Sequence, residues 1–209
     1  MKFLGSCTAI LGSFLLLLAN PSNNVQVQCT DVHIVFARGS GEMQGLGIYG
    51  EPLVSDITSN LPGMTVSSYA VNYLASMDQL SAGSGATDMM NQVVSVAQQC
   101  PDTVFVLGGY SQGASVTDIS IGIQTMLGSG NTIPDPLSSR IMAIVTFGNP
   151  LKLFGQTIKS AISTYGSRAI EFCNLGDPVC ANGFDGMAHL TYPTDGNGQE
   201  SWDSLPGQS

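Results

Sequence analysis

Apolar residues fall along this chain in two styles, short continuous runs and longer helical stripes. Val32–Ala37, Thr103–Leu107 and Ile141–Phe147 are runs of strand type. Residues 64–73 form a second strand in chain order, with Val66, Tyr69 and Val71 as its apolar positions, and a short strand is predicted over 168–172. Between the runs lie helical stretches. Residues 48–61 form one, stopped by Pro62-Gly63. Residues 81–99 form another, with Met89, Val93, Val96 and Ala97 on one face. A third follows Ser111, with Val116, Ile119, Ile123 and Leu127 roughly in line, and a weaker one spans 155–164. Residues 131–139 read as a Pro-rich loop.

Strands separated by helices of this length imply parallel pairing and right-handed crossovers. Near-continuous apolar strands suit a sheet covered on both faces. The predicted fold is α/β, a three-layer α/β/α sandwich around a mostly parallel sheet. No insertion between strands is large enough for a lid domain, so a site at the strand ends should open to solvent.

Composition refines the boundaries. The chain has 209 residues, one domain by length. Residues 1–19 carry one basic residue, an apolar run and Ala19 before Asn20-Pro21, the pattern of a secretory signal peptide. That run is short of the roughly 20 residues a membrane span needs, so no stable membrane anchor is expected. Residues 20–28 read as a flexible start and residues 29–209 as one domain with a polar tail from about 196. Losing Lys2 with the signal would shift the formal charge from −9 to −10. The remaining basic residues are scattered, which argues against a nucleic-acid partner.

Four cysteines remain after the signal: Cys29, Cys100, Cys173 and Cys180. An even number in a secreted chain reads as two disulfides. Cys29 and Cys100 each precede a strand, which puts both at the same edge of a parallel sheet. A bridge there would close about 70 residues and stabilise by roughly 4 kcal/mol in the chain-entropy model. Cys173 and Cys180 bracket a short loop containing Asp177.

The candidate chemistry starts at Gly109-Tyr110-Ser111-Gln112-Gly113. This is a Gly-x-Ser-x-Gly turn with a strand before it and a helix after it, the context of a nucleophile elbow. A serine nucleophile needs a base and an orienting acid. In the order nucleophile, acid, base, only His189 can be the base; His33 lies upstream and reads as a packed strand residue. Of the intervening acids, Asp118 and Asp135 read as solvated and Glu171 sits in a strand. Asp177 lies on the strand-end loop where the acid belongs, with Asp185 as the alternative. The N–H of Gln112 and the N–H and hydroxyl of Ser40 are the candidate oxyanion donors. Leu175, Val179, Phe184, Met187 and Leu190 lie near the acid and base in sequence; they form either an apolar rim for an acyl chain or packing within the loops.

Ala37-Arg38-Gly39-Ser40, Gly109–Ala114, Phe172-Cys173-Asn174-x-Gly-Asp177-x-Val-Cys180 and His189-Leu-x-Tyr192 together resemble the cutinase family of fungal serine esterases, from about Cys29 to Tyr192. The resemblance implies a small lidless α/β-hydrolase with disulfides Cys29–Cys100 and Cys173–Cys180. It also implies a triad of Ser111, Asp177 and His189, an oxyanion hole from Ser40 and Gln112, and no metal or cofactor. The family's C-terminal helix would be shortened here. The expected protein is a secreted, monomeric esterase acting on short- to medium-chain esters or on a polymer such as cutin. Removal of acetyl groups from polysaccharide is the alternative within the same chemistry, and a non-catalytic surface-binding protein on the same fold is the alternative outside it. Because His189 must be neutral to act, activity should fall below about pH 6.

Overall fold

The computed structural model describes residues 28–192. The predicted signal segment, residues 20–27 and the polar tail from about 196 lie outside them. Five strands, β1 (Val32–Ala37), β2 (Val66–Ala70), β3 (Val104–Tyr110), β4 (Ile141–Phe147) and β5 (Ala169–Phe172), form one parallel sheet in the order β2-β1-β3-β4-β5. Helix α1 (Gly47–Asn60) covers one face, while α2 (Ala82–Gln99) and α3 (Gln112–Ser120) cover the other. Ile34, Phe36 and Val145 point to the α1 side, where Tyr49, Leu53 and Ile57 meet them. Val35, Leu107 and Ile144 point to the other side, against Met89, Val93, Val116 and Ile119. This alternation with both faces buried explains why the strands read as unbroken apolar runs.

The chain leaves β1 toward β2 on one side and leaves β3 toward β4 on the other. The sheet therefore has a topological switch point between β1 and β3, and the crevice at their carboxyl ends is where such sheets place ligands. The elbow and the Ser40 loop both open there.

Several boundaries differ from the sequence expectation. Helix α3 stops at Ser120, because Gly122 takes a positive φ of 94° and the chain turns. Ile123 and Leu127 still pack on the same core from the loop beyond, so the apolar spacing outlasts the helix. The second strand is shorter than 64–73; Val71 and Tyr73 are buried outside it. Residues 135–140 of the Pro-rich loop form a 3-10 turn. The stretch 155–164 resolves into two single turns, α4 (Ile158–Ala161) and α5 (Ser163–Gly166), broken by the extended backbone of Ile162. Both predicted disulfides are present, Cys29–Cys100 at the amino edge of the sheet and Cys173–Cys180 at its carboxyl edge.

His33 is buried in β1. Gln92 donates to its Nε2 at 3.1 Å, which leaves Nδ1–H to donate to Ser67 Oγ at 2.7 Å. Burial lowers its pKa below the ordinary histidine value. The unfolded chain therefore takes up this proton first as pH falls, so the stability tied to His33 is present above about pH 6.5 and is lost below it. Urea unfolding at pH 7.5 and 5.5 should show the native protein losing more stability than a His33→Gln variant over that interval. Equal losses would remove His33 from the account.

Candidate active site

The elbow is built by close approach. Ser111 has φ 54° and ψ −117°, a left-handed geometry that a non-glycine residue holds only under constraint. A Cβ on Gly109 would lie 2.0 Å from Gly113 O, and one on Gly113 would lie 1.9 Å from Ala37 O. The two motif glycines thus let α3 press against β3 and β1. Ser111 N–H donates to Phe147 O at 2.9 Å, which ties the turn to β4.

Ser111, Asp177 and His189 come together. His189 Nε2 lies 2.9 Å from Ser111 Oγ, and Nδ1 lies 2.8 Å from Asp177 Oδ2. With a carboxylate on Nδ1, the neutral ring carries its proton there and leaves Nε2 to accept from the Ser111 hydroxyl. Asp177 is fully buried. Its Oδ1 accepts from Val179 N–H at 2.6 Å, and Oδ2 also accepts from the Tyr192 hydroxyl. Burial pushes the Asp177 carboxyl up, but the bonds from Tyr192, His189 and Val179 outweigh it and hold the group below the usual carboxylate range. Tyr192 shifts the other way, raised by burial and by the adjacent carboxylate.

The loop carrying these groups is fixed from within. Asn174 Nδ2 donates to Ala188 O at 2.8 Å and Thr191 O at 3.1 Å. Asp185 does not meet the imidazole in the relay; it caps the short helix α6 (Gly186–Leu190) by accepting from Met187 N–H at 2.9 Å. The Tyr110 hydroxyl donates to His189 O at 3.0 Å, and its ring lies 5.0 Å from the imidazole. A Cβ on Gly148 would sit 2.6 Å from His189 Cε1.

Ser40 and Gln112 are also neighbours. Ser40 Oγ donates to Gln112 Oε1 at 3.3 Å, while Gln112 Nε2 donates to Ser81 Oγ at 3.4 Å. The Gln112 N–H begins α3, where the helix dipole favours negative charge. The Ser40 loop rests on a network that sequence reading missed. Arg38 is buried and donates to Glu42 O at 2.8 Å, Gln44 Oε1 at 2.7 Å and Tyr73 O at 2.7 Å. Glu42 accepts from Gly39 N–H at 2.5 Å and Ile48 N–H at 2.8 Å. The pair of opposite charges flanking Gly39-Ser40-Gly41 was the available signal.

Two sets of exposed apolar side chains lie on loops of the described chain. In the first, Leu175 and Phe184 are fully exposed (98% and 103%), and Met187 and Leu190 are over half exposed. Val179 is half-buried, and its N–H is engaged by Asp177. A second set, Met43, Leu74, Met77 and Leu80, is equally exposed on the loops after β1 and β2, across the sheet order from the first. Sequence reading had not marked it. Asp118, expected to be solvated, is instead fully buried on α3. Burial and the nearby Glu171 raise its pKa well above the ordinary aspartate value, opposed by a hydrogen bond from Asn149.

The cutinase family model matches residues 28–203. A cutinase of Kineococcus radiotolerans is 51% identical over 173 residues, 81% of this chain and 58% of that protein, so the chain spans little more than half of that relative. The cutinase of Trichoderma reesei, solved with a phosphonate inhibitor, superposes with a TM-score of 0.66 at 28% identity, over 85% of this chain and 75% of that one. The catalytic core of the acetyl xylan esterase from the same organism gives a TM-score of 0.74 at 24% identity, over 87% and 100% of the two chains, a likeness of fold.

The contact between Gly148 and the imidazole yields a prediction. Gly148→Ala adds a Cβ against His189 at a backbone φ of 58°. It should slow labelling of Ser111 by a serine-directed organophosphonate about tenfold while the protein stays folded. An unchanged labelling rate would show that the ring does not depend on this surface.

Proposed function

The chain belongs to the cutinase family, and from that premise we propose that it is a secreted serine hydrolase of carboxylic esters, with Ser111 as nucleophile, His189 as base and Asp177 as the orienting acid. The observation that carries the reading is the relay from Ser111 Oγ through His189 to Asp177, at 2.9 and 2.8 Å. Ser111 Oγ attacks the ester carbonyl as its proton passes to His189 Nε2. The N–H of Gln112 and the N–H or hydroxyl of Ser40 stabilise the oxyanion. His189 then protonates the leaving alcohol. Water, activated by the same imidazole, releases the acid and restores Ser111. Asp177 stays ionised throughout, holding the tautomer and balancing the imidazolium.

Two disulfides support an oxidising, extracellular setting. The exposed rims support acyl esters of short to medium chain, including those at a surface such as cutin, because apolar side chains left in water gain by covering an acyl chain.

Initial rates on p-nitrophenyl acetate, butyrate and palmitate test the reading, with Ser111→Ala as control. The expected result is a peak at short to medium chains that the variant abolishes while its fold is retained. Cleavage of acetate alone would move the substrate to acetylated polysaccharide. Unchanged turnover by Ser111→Ala would overturn the nucleophile, and no turnover by the folded protein would favour a binding role.

The rim makes its own prediction. Leu175→Ser with Phe184→Ser should raise KM for the butyrate ester several-fold and leave the acetate ester nearly unchanged, since each buried methylene contributes about 0.8 kcal/mol. Equal effects on both esters would place acyl recognition elsewhere.

A further inference from the structure

Ser111 sits at the turn between β3 and α3, whereas His189 sits on α6, beyond β5. Their separation depends on how the elbow is held against the surface that backs the imidazole. Beside the Tyr110 ring, that surface includes Gly148, where a Cβ would lie 2.6 Å from His189 Cε1. The next residue, Asn149, is fully buried and bonded in two directions. Its Oδ1 accepts from Leu151 N–H at 2.9 Å and starts the 3-10 turn Pro150–Phe154. Its Nδ2 donates to Asp118 Oδ1 at 3.1 Å.

Asp118 lies on α3, seven residues after Ser111 and about two turns along the helix. It is fully buried, and its second oxygen, Oδ2, makes no hydrogen bond among the described residues. An apolar side chain of similar size would pack there without leaving a buried oxygen unmatched. Local violations of this kind concentrate where function needs them. The carboxyl does have one defined partner, and that partner adjoins the imidazole's support. Glu171 serves a different segment, accepting from Ile158 N–H at 3.0 Å at the start of α4.

We propose that Asp118 is a positioning residue: through Asn149 it pins the Gly148–Pro150 turn to the elbow helix, and so fixes the support of His189 relative to Ser111. Two ties then straddle Gly148. On the strand side Ser111 N–H bonds Phe147 O at 2.9 Å; on the helix side Asn149 bonds Asp118. Gly148 N–H itself donates to Phe172 O at 2.9 Å, so loss of the second tie loosens the turn on its Asn149 side, and the imidazole follows its support. The inference rests on the reading of Ser111 and His189 as nucleophile and base. Small displacements of such pairs are costly, up to about a hundredfold for 1 Å.

The test compares kcat and KM for p-nitrophenyl butyrate in the native protein, Asp118→Ala, Asp118→Asn, Asn149→Ser and the Asp118→Ala/Asn149→Ser double variant, well below each unfolding midpoint. Asp118→Ala and Asn149→Ser should each lower kcat about tenfold with KM within about twofold. The double variant should be no worse than about the poorer single, because both break one link. Asp118→Asn, whose amide oxygen still accepts from Asn149, should stay within about threefold of native. Asn149→Ser keeps an oxygen to cap Leu151 but withdraws the amide from Asp118. With Asp118→Asn it decides the matter even if Asp118→Ala does not fold. Native kcat in Asn149→Ser, losses that multiply in the double variant, or an Asp118→Asn as impaired as Asp118→Ala would each overturn the proposal. If Ser111→Ala abolishes turnover while Asn149→Ser leaves it untouched, this inference falls and the esterase reading stands. Turnover that survives Ser111→Ala defeats both.

Discussion

The close approach of β3, α3 and β1 at the elbow is the constraint on which the rest of the structure depends. Ser111 stands in a conformation that costs a non-glycine residue of order 1–3 kcal/mol. It is held there because the helix after it lies almost in contact with the backbone of two strands. A Cβ on Gly113 would overlap Ala37 O, and one on Gly109 would overlap Gly113 O. Removing either void would push α3 away and relax the turn. The same packing brings the first N–H of α3 and the Ser40 loop to one crevice, because β1 and β3 are adjacent at the switch point.

Around that fixed point the other groups are brought in by loops, and each loop is stiffened internally. The acid lies in the loop 174–179 closed by Cys173–Cys180. The base lies on a single-turn helix capped by Asp185 and stapled by Asn174. Preorganisation of this kind matters electrostatically. Asp177 is buried, yet three donors keep it ionised, so it presents a full charge to the imidazole in a region of low dielectric. A solvated carboxylate at the same distance would do less.

Most of the layout was legible in the chain. The unbroken apolar runs gave the parallel sheet, and the order of Ser111, Asp177 and His189 left one histidine and one favoured acid. What was not legible shares a physical cause: it depended on which polar groups the fold buries. Asp118 occupies a helix position that looks solvated by composition, yet it is fully buried and bonded to Asn149. Sequence reading did not mark Arg38 and Glu42 as partners, yet they hold the Ser40 loop. Leu74, Met77 and Leu80 sit between a strand and a helix with no period to mark them. The third helix was read too long because Ile123 and Leu127 continue its apolar spacing from a loop that folds back on the same core.

Buried polarity in this molecule is unevenly distributed, and the distribution has a reason. The α1 face of the sheet is apolar and aromatic, with Phe36, Tyr49 and Phe172 each packed against Phe147. The α2/α3 face carries Asp118, Thr146 and Glu171, each with a buried oxygen lacking a partner among the described residues. Those groups gather around α3 and the carboxyl halves of β4 and β5. Apolar packing is tolerant of small sliding because it is non-directional. Hydrogen bonds are directional and fix separations to tenths of an ångström. A fold that must hold a strained serine, an imidazole and a carboxylate in register therefore gains from polar links beneath them, and the destabilisation they bring is offset by the apolar sheet and by the Cys29–Cys100 bridge at the opposite edge.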